Sequence, residues 1–165
     1  MRIIGIDPGL ATTGWSIVDF DNNQPHVVDF GIISTEKGVP NPARLFEIQH
    51  DLNEIINKYK PQYSGVEMLL FQNNAKTAMA VGEARGVVLF TLESNNIEIY
   101  QFTPLQVKNS ITGSGKADKK QVQENVKILC NLDKIPKPDD AADAIAIAVT
   151  CYDSLKMNNI ISSNL

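Results

Sequence analysis

The chain has 165 residues, 43% hydrophobic and 21% charged, with a formal net charge of −4. That length suits one domain with a real core, and the composition is that of a soluble globular protein. No apolar run approaches the roughly 18 residues a membrane span needs, and the N-terminus shows no basic stretch leading into a long apolar one, so no secretory signal is expected.

Three β-rich stretches come first, Arg2–Ile6, Gly14–Phe20 and His26–Ser34. Turn-rich "DPGLATT" and "DNNQP" separate them, which predicts consecutive antiparallel strands. The period then changes: Leu45, Ile48, Leu52, Ile55 and Tyr59 fall on one helical face, and Pro61 closes that helix. Tyr63–Glu67 reads as a fourth strand, reached through a helix and so parallel to the first. A helix rich in small residues follows from Asn74 to about Asn95, then a fifth strand over 97–102. Asp118 and Gln121 have capping-box spacing for a helix through about Cys130. The last helix, "DDAADAIAIAVTCYDSLK", opens on acids that suit its positive end. The expected product is an α/β domain over 1–156, a five-stranded mixed sheet flanked by helices on both faces, with 157–165 as a frayed tail.

Cys130 and Cys151 lie far apart with only His26 and His50 for company. This argues against zinc and for two buried thiols in a reducing cytoplasm. The overall charge hides an asymmetry: residues 104–138 hold seven lysines, including Lys108, Lys116, Lys119 and Lys120, against three acids, leaving the remainder at −8. Such a segment suits phosphate binding and equally a solvated lysine-rich helix. Within it, "SITGSGKA" is not a nucleotide P-loop, because Ser110 and Ala117 stand where that pattern needs Gly and Ser or Thr.

Asp7 and Glu67 each end a strand. If those strands are parallel neighbours, both carboxylates emerge at one C-terminal sheet edge, where sites in such folds collect. Asp140 and Asp143 share a face of the last helix, as do Asp139 and Asp143. Carboxylates gathered in one place repel and shift each other's pKa, and hard oxygen ligands point to Mg²⁺ or Mn²⁺. Taken singly, each acid is an ordinary turn, loop or helix-start residue; only their joint placement argues for a site.

In order and spacing, "GIDPGLATTGW", "VEMLLFQNNAKTAMAVGEARGVVL", "QVKNSITGSGKADKKQVQ" and "DDAADAIAIA" resemble the RuvC family of Holliday junction resolvases, from Arg2 to about Tyr152. The resemblance implies a ribonuclease H-like fold, a homodimer, and cutting of four-way DNA junctions with Mg²⁺ or Mn²⁺, two ions per site. It places the metal-binding carboxylates on Asp7, Glu67, Asp140 and Asp143, choosing Asp140 over Asp139, and assigns the lysine-rich loop to the DNA backbone. It also puts the helix around Ala78, Gly82 and Gly86 at the dimer contact. One departure stands out: the family's aromatic wedge falls here on Leu70, with Phe71 next to it, so Phe71 is the candidate for stacking on bases at the crossover. A branch-migration motor is a further partner if the chain is cellular rather than from a bacteriophage. Three other readings compete: an actin-like ATPase suggested by "GIDPG" alone, a nuclease of the same fold acting on other branched DNA or RNA, and a junction binder without catalysis.

Overall fold

In the computed structural model, which describes residues 1–69 and 75–163, five strands form one sheet in the order β3-β2-β1-β4-β5. β1 (Arg2–Asp7), β2 (Thr12–Asp21) and β3 (Gln24–Ser34) run antiparallel in succession. After α1 (Asn41–Tyr59), β4 (Tyr63–Glu67) pairs parallel with β1, and after α2 (Ala75–Ser94), β5 (Glu98–Phe102) pairs parallel with β4. The α/β architecture and mixed sheet are those expected from the sequence. Three helices complete the chain: α3 (Pro104–Thr112), α4 (Lys119–Leu129) and α5 (Asp139–Ser163).

Strand alternation sorts the core into two layers. Ile4, Ile6, Ile17 and Val66 point to the face covered by α1 and α2, where they meet Ile48, Leu52, Val88 and Leu92. Ile3, Val18 and Phe20 point to the other face, against Ile145, Ala148 and Val149 of α5. On that second face the strands carry glycine where α5 crosses. A Cβ on Gly5 would lie 2.0 Å from Ala144 O, and one on Gly14 would lie 2.1 Å from Asp140 O. With alanines on its own underside, α5 therefore lies closer to the sheet than side-chain packing would permit. By the same alternation, Asp7 and Glu67 point to the α5 face.

The sequence reading lacks α3. Its signal is local: Thr103 and Gln106 form a reciprocal capping box, Pro104 opens the helix, and Gly113 closes it at φ 72°. The capping box expected from Asp118 and Gln121 is present on α4. α1 ends one residue before Lys60, whose left-handed backbone returns its N–H to Ile56 O. α5 continues in helical backbone to Ser163, beyond the helix end read near Lys156. Cys130 and Cys151 are both buried free thiols.

Candidate active site

Pairing of Ile6 with Val66 brings the next residues, Asp7 and Glu67, out side by side at the end of β1 and β4. Burial, with the charges of Glu67, Asp143 and Asp140 added to it, pushes the Asp7 carboxyl up to about 8. Burial also raises Glu67, helped by Asp143 and opposed by hydrogen bonding with Asp7 and by the charge of Lys119. Asp143 is raised by burial too, against the pull of Lys119. Burial, reinforced by mutual repulsion, thus makes three neighbouring acids hold their protons more tightly than free carboxyls do.

α5 delivers the other carboxylates from its first turn and a half, held over the sheet edge by the contact of Asp140 backbone with Gly14. Asp139 and Asp140 separate here. Asp140 acts on Asp7, whereas Asp139 turns to solvent, binds Lys137 at 2.7 Å and is held below the usual carboxylate range chiefly by it. Asp140 thus bears on Asp7 and Asp143, while Asp139 bears on Asp143 and shares Lys119 with it.

Lys119 stands at the cluster. Its Nζ lies 3.0 Å from Asp143 Oδ2 and 3.7 Å from Asp139 Oδ2. Sequence reasoning assigned this lysine to DNA alone; here its side chain turns inward as the carboxylates' counter-charge. Among the described residues, no three His, Cys, Asp or Glu side chains are placed so that together they could hold a metal ion. The chemistry of the donor set suits a hard divalent cation: all its ligand atoms are carboxylate oxygens, and three of the four acids stay raised by burial even with Lys119 beside them. Seating such an ion would displace Lys119 from Asp143.

The remaining lysines lie nearby on the α3–α4 side. Lys116 and Lys120 are exposed and line an open hollow of about 550 Å³ with Ser114, Gln121 and Asn125, while Lys108 is half-buried on α3. The glycines of this loop have internal reasons to be glycine. Gly113 supplies the left-handed cap of α3, and a Cβ on Gly115 would lie 2.3 Å from Leu105 Cδ1. On α2, Gly86 is open, with nothing within 4 Å of a Cβ there, and the exposed Met79 and Phe90 share its side of the helix. Leu70 and Phe71, the residues at the expected wedge, lie outside the described residues.

One neighbour of the site was missed by sequence reasoning: Arg85 of α2 donates from Nε to the backbone carbonyl of Glu67 at 3.2 Å and from Nη2 to Gln101 Oε1. No motif announces it, because its main partner is a carbonyl.

A family model described as Crossover junction endodeoxyribonuclease RuvC matches residues 3–151. The chain is 47% identical to the protein of that name from Fusobacterium nucleatum over 94% of this chain and 82% of the relative. It is 49% identical to the one from Caldicellulosiruptor saccharolyticus over 90% of each. Its fold superposes on a Thermus thermophilus RuvC structure with a TM-score of 0.89 at 28% identity, covering 96% of this chain and 97% of the other. T. thermophilus RuvC in complex with a Holliday junction substrate gives a TM-score of 0.87 at 26% identity, covering 95% and 96%. The fold is accordingly the ribonuclease H-like one implied by the sequence. A carboxylate-bearing sheet edge, an α5 seated on glycines and a match spanning almost the whole chain all lead to one conclusion: the protein belongs to the RuvC family of crossover junction endodeoxyribonucleases.

Proposed function

We propose that the protein is a metal-dependent endonuclease that resolves four-way DNA junctions by paired symmetric nicks, with Asp7, Glu67, Asp140 and Asp143 as its catalytic and metal-binding carboxylates. The observation that carries this is the convergence of Asp7, Glu67 and Asp143 with carboxyl groups raised above their ordinary range at one sheet edge, in a chain whose family relatives bear the endonuclease name. The four acids would hold Mg²⁺, with Mn²⁺ as a substitute, two ions per site; when bound, these supply charge stabilisation at the phosphate and activation of water. The chain's own part is positional. Strand ends fix Asp7 and Glu67, α5 fixes the other two, and Lys119 keeps the acids from unbalanced repulsion until the site is filled. Lys108, Lys116 and Lys120, with Lys119 when released from Asp143, would hold the DNA backbone, since an acidic site alone repels phosphate. Phe71 is the proposed stacking residue at the crossover, a contact worth about 1–3 kcal/mol per base.

A two-fold symmetric substrate calls for a homodimer, and the open side of α2 around Gly86 supports that reading. The Gly86→Ala variant should raise helix stability by about 1 kcal/mol yet weaken self-association in sedimentation; unchanged association would remove α2 from the interface. Among the described residues no helix is long and apolar enough to cross a membrane, and action on DNA in the cytoplasm is proposed. The decisive experiment is cleavage of a labelled synthetic four-way junction in Mg²⁺, beside Asp7→Asn, on a denaturing gel. Symmetric nicks by the wild type and none by the variant are expected. Binding without nicks in both Mg²⁺ and Mn²⁺ would overturn the nuclease reading, and equal cleavage of many branched substrates would favour the broader one.

A further inference from the structure

We infer that Arg85 is a positioning residue of this site: it supplies the hydrogen-bond donor that Pro8 cannot, and so locks the strand end that carries Glu67. This rests on the reading of Glu67 as a site carboxylate.

Met68 N–H is bonded to Phe102 O of β5 at 2.8 Å. Successive residues of a strand turn their backbone polar groups to opposite sides, so the carbonyl of Glu67 turns the other way, toward β1. There the register Ile6 to Val66 places the next donor one step beyond Asp7, at residue 8. Residue 8 is proline and has no N–H. The Glu67 carbonyl, at a partly buried strand end, is thus left without its ladder partner, a state that costs free energy unless another donor arrives. Arg85 Nε is that donor, at 3.2 Å. The guanidinium is fixed in turn by its second bond, from Nη2 to Gln101 Oε1 on β5. One planar cation therefore ties α2, the end of β4 and β5 together, directly behind the Glu67 side chain.

The same proline explains why the tie is needed. Pro8 ends β1 just after Asp7 and lets the chain turn away, opening the sheet edge where the acids meet. Ending the ladder frees the edge but loosens the other strand, and Arg85 restores rigidity without extending the sheet over the site. A carboxylate ligand that drifts by about an ångström can forfeit about a hundredfold in rate, and groups supporting a metal ligand typically matter 10- to 100-fold.

The test compares wild type, Arg85→Gln, Arg85→Lys, Gln101→Leu and Glu67→Gln on one junction. Single-turnover cleavage in Mg²⁺ is measured beside junction affinity without divalent cations and hydrogen exchange at the Met68 amide. Arg85→Gln should lose about 10- to 100-fold in cleavage rate and exchange faster at Met68, with junction affinity within about twofold. Arg85→Lys, which keeps the charge but cannot make both bonds, should recover only part of the rate. Gln101→Leu keeps the cation and loses only its anchor, so it should fall between wild type and Arg85→Gln even if the arginine variants fold poorly. A wild-type cleavage rate in Gln101→Leu and Arg85→Gln, with Glu67→Gln inactive, would overturn the positioning role alone. Loss of junction affinity in parallel with rate would make Arg85 a DNA contact and overturn it too. Full activity in Glu67→Gln would remove the site reading on which it rests.

Discussion

Gly14 and Asp140 meet backbone to backbone: a Cβ on Gly14 would lie 2.1 Å from the Asp140 carbonyl oxygen, and Gly14 is also the ladder partner of Asp7. One residue without a side chain thus sets the height of α5 above the strand that carries the first acid. The distance between the two pairs of carboxylates is a property of this contact.

Gly14→Ala should therefore be felt twice. The added methyl meets backbone, not the flexible end of a side chain, so the first turn of α5 must lift. A destabilisation of about 1–3 kcal/mol or more is expected, measured by urea denaturation. At temperatures where the variant is still folded, junction cleavage should fall more steeply than junction binding. Wild-type cleavage from a folded Gly14→Ala protein would show that the placement of α5 is not critical.

The raised carboxyls predict an inverted pH response for the metal-free protein. Asp7 is pushed up to about 8 from an ordinary value of 3.8, so between these limits the folded chain holds a proton that the unfolded chain has lost. Stability must then fall as pH rises from about 4 to about 8, and Glu67 and Asp143, raised as well, act in the same direction. Asp19 and Asp139 are lowered, so their pH dependence lies below this window. Melting temperature in EDTA should decline across the window, and Mg²⁺ should flatten the decline by favouring the ionised acids. A rise in EDTA would contradict the clustering of these acids.

Lys119 offers an independent check on the same acids. Its bond to Asp143 is half-exposed, with side-chain exposures of 54% and 25%, so its stabilisation is screened and amounts to roughly 0.5–1 kcal/mol. In metal-free buffer at pH 8, Lys119→Met should lower the melting temperature by about 1–4 °C. The rise on adding Mg²⁺ should be larger than in wild type, because the ion no longer competes with an ammonium. Equal rises would mean that lysine and cation do not share a place.

The parts of this site that depend on position along a strand were legible in the sequence. Asp7 and Glu67 end apolar runs, and once those strands are parallel neighbours their meeting follows. Asp140 and Asp143 were legible as one helical face, though Asp139 fitted that face equally; the choice depends on how α5 rotates against Gly14, which spacing does not reveal. The inward turn of Lys119 was hidden for a related reason, since a side chain at the first position of α4 points wherever packing of Val122 and Val126 aims the helix. Arg85 was hidden more deeply, because its partner is a carbonyl made needy by a proline on another strand. α3 was missed although its caps are written locally, in Thr103, Pro104, Gln106 and Gly113.

The lysine loop makes a prediction about salt. Lys116 and Lys120 are exposed at the open hollow between α3 and α4, and a lysine that meets a phosphate releases a counterion on binding. Each of Lys116→Ala and Lys120→Ala should then reduce the slope of log affinity against log salt by about 0.9, measured by junction binding in EDTA. Because phosphate contacts carry no base information, the loss should be uniform across junction sequences. Lys58 is the control, for it lies with Met1 and Arg2 at the opposite edge of the sheet and near Asp29. If Lys58→Ala changed the slope as much as the loop variants do, the DNA path would have to run away from the carboxylates, and the loop would be a solvated surface after all.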